Sequence, residues 1–430
     1  MHTLVQLQSG ALKGAVSLNL SEELSHFPRE IFELADTLEV LDLSRNKLAE
    51  LPADMGRLKK LRILFCSENQ FTVLPEVLAD CPLLDIVGFK ANQIAHIPAR
   101  ALNPNLRWLI LTDNEITKLP DTIGGCARMQ KLMLAGNRLS ELPEALSQCS
   151  NLGLLRISAN RLEALPEWLL RMPRLGWLAF SGNVFSRRAD SRDDLPFVGW
   201  HELHLHELLG EGASGVIYKG TKHYEAEPKE VAVKIFKGAV TSDGLPEDEM
   251  NTFIAAGRHA GLVPVIGQIA AHPDGKKGLV MELVGAHYRN LGLPPSFESC
   301  TRDVFTPGAA LSATQALKIA ATIASVANQL HRNGIMHGDL YAHNTLVDDK
   351  GNTLLGDFGA ASMYETTDER LARSLERIEV YAFGCLLDDL VFLCGGHEEL
   401  EALRNACMAP DVLSRPAFEE LDGKLANMAC

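Results

Sequence analysis

The 430-residue chain has no run of about 18 or more apolar residues, the length a membrane-spanning helix needs. Its opening, MHTLVQLQSGALKGAVSL, lacks a basic start followed by a continuous apolar core, so no secretory leader is expected there. Nine cysteines are present, yet none form a CxxC pair. That argues against a zinc site or a disulfide framework and for free, buried thiols in a reducing cytoplasm. Positive charge is also short. Lys and Arg number 41 against 55 Asp and Glu, a net charge of −14. A chain so acidic is a poor match for the phosphates of DNA or RNA, so no nucleic-acid partner is expected, and the charge reads as solubility. With 46% apolar and 22% charged residues, what remains is a soluble globular protein with room for two or three domains.

What is present first is a repeat. Asparagines stand at 46, 69, 92, 114, 137, 160 and 183, and prolines at 28, 52, 75, 98, 120, 143 and 166. The step is 23 residues, with one of 22 and one of 24. One unit reads LEVLDLSRNKLAELPADMGRLKK, Leu38 to Lys60. Leu38, Leu41 and Leu43 alternate inward from a short strand, which also places Cys66 of the next unit inward, and Cys81, Cys126 and Cys149 recur at one repeat position. The asparagine amide can bond the turn that follows. Leu51-Pro52 ends that turn, because proline fixes its own φ and biases the residue before it away from helix. One unit cannot bury its own apolar face, so the units must stack. The pattern resembles the leucine-rich repeats, in the variety with Leu-Pro after the asparagine. It implies an α/β solenoid over residues 1–185, made of a cap and seven repeats of about 23 residues, then a polar linker over 186–199.

Outward strand positions of such a solenoid line its concave face. One column reads Val40, Ile63, Ile86, Trp108, Lys131, Leu154, Trp177, and the next Asp42, Phe65, Gly88, Ile110, Met133, Arg156, Ala179. Their apolar character suits a protein contact at Phe65, Trp108, Ile110, Met133 and Trp177, and suits equally a face covered by the rest of the chain.

From Trp200 the pattern changes. His201 to Leu209 alternates as a strand and runs into LGEGASGVIYKG, with Gly210, Gly212 and Gly215 spaced G-x-G-x-x-G and Ile217 two residues on. Glycines let a backbone approach phosphate oxygens closely. A dinucleotide-binding turn would need a helix next, but here strands follow: VIYKG, then Val231-Ala232-Val233-Lys234. The lysine, ending an apolar strand, needs an acidic partner. Glu249, in the expected helix PEDEMNTFIAAGRH, is the first choice and Glu247 the alternative. His337-Gly-Asp339-Leu-Tyr-Ala-His-Asn344 and Asp357-Phe-Gly359 follow. Asp339 suits positioning of a nucleophilic hydroxyl, and Asn344 with Asp357 suits magnesium, a hard cation that takes oxygen ligands.

In this order and spacing, residues 200–430 resemble the eukaryotic-type protein kinase fold, in its tyrosine-kinase-like group. The resemblance implies an α+β bilobal domain, with a small lobe over about 200–284 and a large lobe over about 285–430. It implies that Gly210–Gly215 cover the phosphates of ATP, flanked by Ile217 and Ala232, and that Lys234 holds the α- and β-phosphates and pairs with Glu249. Met281 is then the gatekeeper, and the backbone of Glu282 and Val284 meets adenine. Asp339 becomes the catalytic aspartate, with Asn344 and Asp357 on magnesium. Ser414-Arg415-Pro-Ala-Phe matches the family's C-terminal segment, and Val380-Tyr-Ala-Phe-Gly384 the start of its central helix.

The departures lie on the acceptor side. Gly338 replaces the arginine that normally holds a phosphorylated activation loop, so constitutive or partner-gated activity is expected. The segment from Asp357 to Val380 is short and lacks Ala-Pro-Glu, leaving Glu369 or Glu376 as candidate partners of Arg415. Glu379 stands where an aspartate braces the catalytic loop. About thirty residues separate Gly384 from Arg415, where an extra docking helix is usual, while 286–310 is an insertion. Leu-Tyr-Ala-His after Asp339 matches neither the serine/threonine nor the tyrosine pattern, and His-Gly-Asp-Leu resembles small-molecule kinases related to aminoglycoside phosphotransferases as well. The expectation is a cytoplasmic ATP- and magnesium-dependent protein kinase of Ser/Thr type whose repeats recruit or sense a protein, with a small-molecule phosphotransferase and a pseudokinase scaffold as alternatives. Compactness fits a bacterial origin.

Overall fold

The computed structural model describes residues 2–186, 195–212, 214–223, 227–238, 240–241 and 243–428. Most of the expected linker lies outside them. Two compact units emerge, Met1–Met172 and Pro173–Cys430.

In the first unit, helix α1 (Leu4–Gln8) is capped by reciprocal bonds between Thr3 and Gln6. Seven three-residue strands follow: β1 (Ser17–Asn19), β2 (Val40–Asp42), β3 (Ile63–Phe65), β4 (Ile86–Gly88), β5 (Trp108–Ile110), β6 (Lys131–Met133) and β7 (Leu154–Arg156). They form a parallel ladder in which equivalent positions face each other, such as Leu41 with Leu64 and Leu64 with Val87. The middle residue of every strand from Leu41 to Leu155 is fully buried, so the repeats share one continuous core.

The asparagines explain the register. Asn69 accepts from the Leu48 amide at 2.9 Å and donates to Leu43 and Cys66 carbonyls at 2.9 and 3.2 Å. Asn92 repeats this with Phe71, Cys66 and Phe89. Each side chain thereby ties its own turn to the preceding repeat and satisfies backbone groups that no sheet partner reaches. The prolines act one step later: Pro75, Pro98, Pro120 and Pro143 each sit extended just before a short 3-10 helix. The cysteines are small apolar fillers. Cys81, Cys126 and Cys149 donate to carbonyls of the preceding repeat, and burial pushes their thiols up to about 11, 12 and 11.

The outward columns pack along the array. The Phe65 ring lies across Gly88, where a Cβ would meet it at 2.7 Å. Lys131 Nζ sits 4.4 Å from the Trp108 ring centroid, and Trp108 Nε1 donates to Met133 Sδ.

The second unit begins with the last repeat, whose strand is β8 (Trp177–Ala179). Next come β9 (Phe197–Gly199), β10 (Leu203–Glu211), β11 (Gly215–Lys222), β12 (Lys229–Phe236), α2 (Pro246–Ala256), β13 (Val265–Ala270) and β14 (Gly278–Glu282). These strands form a sheet of order β10-β11-β12-β14-β13-β9, antiparallel except where β9 meets β13. Val231, Val233, Ile269 and Val280 supply its core.

The rest is mainly helical. It contains β15 (Arg289–Asn290), α3 (Ala313–Arg332), β16 (Ile335–Met336), β17 (Thr345–Val347), β18 (Thr353–Leu355), β19 (Ser362–Met363), α4 (Glu369–Cys394), α5 (Glu398–Cys407) and α6 (Phe418–Met428). One expectation needs correction. The central helix starts at Glu369, eleven residues before Val380, because Asp368 caps the Leu371 amide at 3.0 Å and a run of helix formers follows. Few residues then remain between Asp357 and the helix for an acceptor platform. The interval before Arg415 holds α5, so it is not bare.

Candidate active site

Strands β10 and β11 meet at the glycine loop, where Gly210 pairs with Ile217 and the Gly212 amide donates to Gly215 at 2.9 Å. The three glycines serve different ends. A Cβ on Gly215 would meet the Ile235 carbonyl at 2.6 Å, so β12 demands a glycine there. Gly210 and Gly212 have open space where a side chain would stand, the room a phosphate needs. Lys237 Nζ fastens the loop through Glu211 at 2.6 Å and the Gly212 carbonyl at 3.1 Å.

On β12, Lys234 lies opposite Ile217 on one side and Leu279 on the other. Its ammonium pairs with Glu249 of α2, both groups being buried, while Glu247 is exposed and pairs with Lys277. Burial raises the Glu249 pKa and Lys234 opposes the rise, while the Asp357 carboxylate adds to it. Glu249 Oε2 is buried without a hydrogen-bond partner among the described residues. Ala232 pairs with Met281, and both are buried. Glu282 closes β14, its amide held by the Pro264 carbonyl, with Val284 just beyond.

The loop expected to be catalytic, residues 337–344, runs between β16 and β17. Asn344 Nδ2 donates to Asp339 twice, to Oδ2 at 2.8 Å and to its carbonyl at 2.9 Å. Its amide oxygen must then point away from Asp339. Glu379 of α4 braces the loop from below, accepting from the His337 and Gly338 amides at 3.1 and 2.6 Å. His331 Nε2 lies 2.8 Å from Glu379 Oε2, and His331 Nδ1 is 2.8 Å from the Tyr364 hydroxyl. Burial opposes the charge on Glu379, but His331 and the backbone amides outweigh it and lower its pKa. The longer side chain thus reaches both amides that bracing requires.

Asp357 has left-handed backbone at φ 52°, and its Oδ1 accepts from the Gly359 amide at 3.1 Å. Phe358 stacks on Phe253 of α2 at 4.5 Å and lies 5.1 Å from the His337 ring. One aromatic column therefore joins α2, the segment after Asp357 and the catalytic loop. Asp303 of the insertion binds the His343 amide at 2.8 Å and its Nδ1 at 2.7 Å. Burial would lower the His343 pKa, and the Asp303 carboxylate outweighs it and raises it.

Among the described residues, no three His, Cys, Asp or Glu side chains gather into a metal site. The donors present are an amide oxygen on Asn344 and a carboxylate on Asp357, both hard. That set fits magnesium, which keeps few protein ligands and takes the rest from phosphates and water.

Arg415 has neither expected carboxylate partner. It donates to the carbonyls of Ala409, Arg377 and Pro173 at 3.0, 2.9 and 2.6 Å, and lies 5.0 Å over the Tyr381 ring. Glu376 instead binds the Phe418 amide at 2.7 Å, and Glu369 is exposed at the start of α4. Burial lowers the Arg415 pKa to about 10. At Trp177 the concave column takes the covered alternative. Trp177 is 2% exposed and stacks on Tyr341 at 4.5 Å, so it offers no free surface to a partner.

A two-lobed fold with a buried Lys–Glu pair, a glycine loop and an Asp–Asn couple defines a protein kinase domain. Residues 203–386 match the family model "Protein tyrosine and serine/threonine kinase", and residues 37–58 match "Leucine Rich Repeat". The chain is thus a multidomain protein, a leucine-rich-repeat region followed by a protein kinase domain. It is 30% identical over 129 residues to the mouse leucine-rich repeat and calponin homology domain-containing protein 1, covering 29% of this chain and 18% of that one. A probable cyclin-dependent serine/threonine-protein kinase of Dictyostelium discoideum is 27% identical over 225 residues, 47% of this chain and 33% of its own. Serine/threonine-protein kinase mos of Gallus gallus is 28% identical over 195 residues, 42% of this chain and 53% of its own. The chain spans less than a fifth of the first of these relatives and about half of the last. No helix is long and apolar enough to cross a membrane, among the described residues.

Proposed function

We propose that the chain is an ATP- and magnesium-dependent protein kinase, acting on serine or threonine hydroxyls in the cytoplasm, whose repeats recruit or sense a protein. The observation that carries this reading is the buried Lys234–Glu249 pair, closed beside Phe358 and Asp357. Such a pair is costly to bury without a task for its charge.

In this reading Gly210 and Gly212 leave room for the phosphates, Lys234 orients the α- and β-phosphates, and Asn344 and Asp357 hold magnesium. When bound, magnesium neutralises charge on the transferring phosphoryl group. Asp339, one oxygen held by Asn344, orients the acceptor hydroxyl and takes its proton. The acceptor oxygen bonds the γ-phosphorus as the bond to the β–γ bridging oxygen breaks, and ADP leaves. Phe65, Trp108, Ile110 and Met133 are the proposed contacts for a protein on the repeats.

Purified chain with γ-labelled ATP and magnesium tests this beside Asp339→Asn and Lys234→Met. Asp339-dependent label on the chain itself or on an added protein supports it. Label confined to small metabolites assigns a small-molecule phosphotransferase, and no Asp339-dependent label assigns a scaffold.

A further inference from the structure

The last repeat is the least expected neighbour of the catalytic loop. Its strand β8 lies in the same compact unit as Asp339. Four observations place it there. Trp177 stacks on Tyr341 with ring planes 1° apart, and its Nε1 donates to the Leu340 carbonyl at 3.0 Å. The Leu178 carbonyl lies 2.6 Å from where a Cβ on Gly338 would stand. The amides of Phe180 and Ser181 both donate to Ser362 Oγ, at 2.8 and 3.0 Å. The Pro173 carbonyl accepts from Arg415.

These contacts explain two sequence departures by one cause. Gly338 has φ 72°, and a side chain there would collide with the Leu178 and Ala360 carbonyls, so an arginine cannot occupy the position. Tyr341 stands where the resemblance expects a lysine or an alanine, neither of which offers a flat face to stack on Trp177. Leu340 and Tyr341 directly follow Asp339. Ser362 pairs with Met336, so the residues just after β8 also grip the two-stranded ribbon β16–β19, whose strands flank the loop.

We propose that Trp177 is a positioning residue for phosphoryl transfer, and that the last repeat completes the kinase domain by holding residues 338–341 and Ser362 in their working arrangement. Nine residues, Pro173 to Ser181, thereby span the catalytic loop, the segment after Gly359 and Arg415. The strand does work expected of a longer activation segment, and no phosphate is needed to order the loop. This rests on the reading of the chain as an active kinase. It also revises where the repeats can be cut: a chain lacking residues 1–185 loses phosphoryl transfer itself and not merely recruitment.

The test uses the full chain with Trp177→Ala and Trp177→Phe. Trp177→Phe keeps a stacking ring and loses the N–H donor. Three quantities are read: kcat for phosphoryl transfer, KM for ATP, and hydrogen exchange of amides 338–344. Misplacing a reacting group by about 1 Å can cost on the order of a hundredfold in rate. Trp177→Ala is expected to lower kcat by about ten- to a hundredfold with KM for ATP within about twofold, and to speed exchange at 338–344. Trp177→Phe is expected to recover most of the rate and the exchange protection. Unchanged kcat and exchange in Trp177→Ala would overturn the proposal. So would a Trp177→Phe chain that keeps its melting temperature but behaves like Trp177→Ala. If the wild-type chain shows no Asp339-dependent transfer, the kinase reading fails. Exchange at 338–344 then decides the positioning role by itself: faster exchange in Trp177→Ala restored by Trp177→Phe supports it, and an unmoved pattern overturns it.

Discussion

On the expected nucleotide side of the kinase domain, two lysines meet carboxylate side chains: Lys234 meets Glu249, and Lys237 meets Glu211. On the expected acceptor side, backbone groups do much of the holding, beside side-chain pairs such as Glu379 with His331. Arg415 rests on three carbonyls, Glu379 on two amides and Ser362 on two amides. Side-chain pairs can be read and swapped one residue at a time. Backbone contacts depend on the path of the chain, so a new segment such as β8 can take them over without leaving a residue signature.

The largest expected effect on this contrast comes from Lys234→Met, which leaves the Glu249 carboxylate buried alone. Stability should fall by roughly 3 kcal/mol, read from urea unfolding of the second unit. Adding Glu249→Leu should restore most of the stability and none of the transfer. Equal unfolding midpoints for the single variant and the wild type would remove the pair from the account.

Arg415→Lys is the acceptor-side counterpart. A lysine cannot present the fork that reaches three carbonyls, and a loss of about 2 kcal/mol is expected. Glu369→Gln should be neutral within about 0.5 kcal/mol, as an exposed substitution away from any special contact. A destabilisation by Glu369→Gln matching that of Arg415→Lys would restore the carboxylate partnership and break the comparison.

Glu379 sharpens it through pH. Its folded pKa lies below the ordinary 4.5, so its contribution to stability is complete above 4.5 and is lost as pH falls through the lower folded value. Glu379→Gln should flatten that acid limb and cost about 1–2 kcal/mol near neutral pH. An unchanged acid-unfolding profile would show that the carboxylate does not brace the loop. The smallest effect is reserved for Phe65→Ser with Trp108→Ser. Transfer to a generic peptide should hold within about twofold while capture of a native protein partner falls, as expected if an apolar patch on the repeats recruits it. Equal capture would remove recruitment from this face.

Much of this arrangement is legible in the sequence because it repeats or because it is charged. Seven asparagines at a 23-residue step can only mean stacked units, and the six from Asn46 to Asn160 each bridge two turns. Lys234 needs a buried acid, and Glu249 rather than Glu247 faces inward from α2 because three neighbouring acids on a helix point in different directions. Glu379 could be placed only through the resemblance, which puts a bracing carboxylate at that position of the chain; the amides it accepts from lie 41 and 42 positions away. The partners of Arg415 could not, since carbonyls carry no sequence signal. Nor could the tie between Trp177 and Leu340, which are 163 positions apart and belong to segments with different periodicities. Trp177 looked like the other concave residues because it occupies the same repeat position. What separates it is a partner ring at Tyr341, a residue notable in the sequence only as a departure from pattern.

The central claim is that Asp339 directs phosphoryl transfer in a domain whose nucleotide side is complete. It is tested most directly by measuring ATP affinity and single-turnover transfer on the same samples of wild-type and Asp339→Asn chain. The account predicts nucleotide affinity within about twofold and transfer reduced by about 10²- to 10⁴-fold. Transfer by Asp339→Asn at the wild-type rate would contradict it.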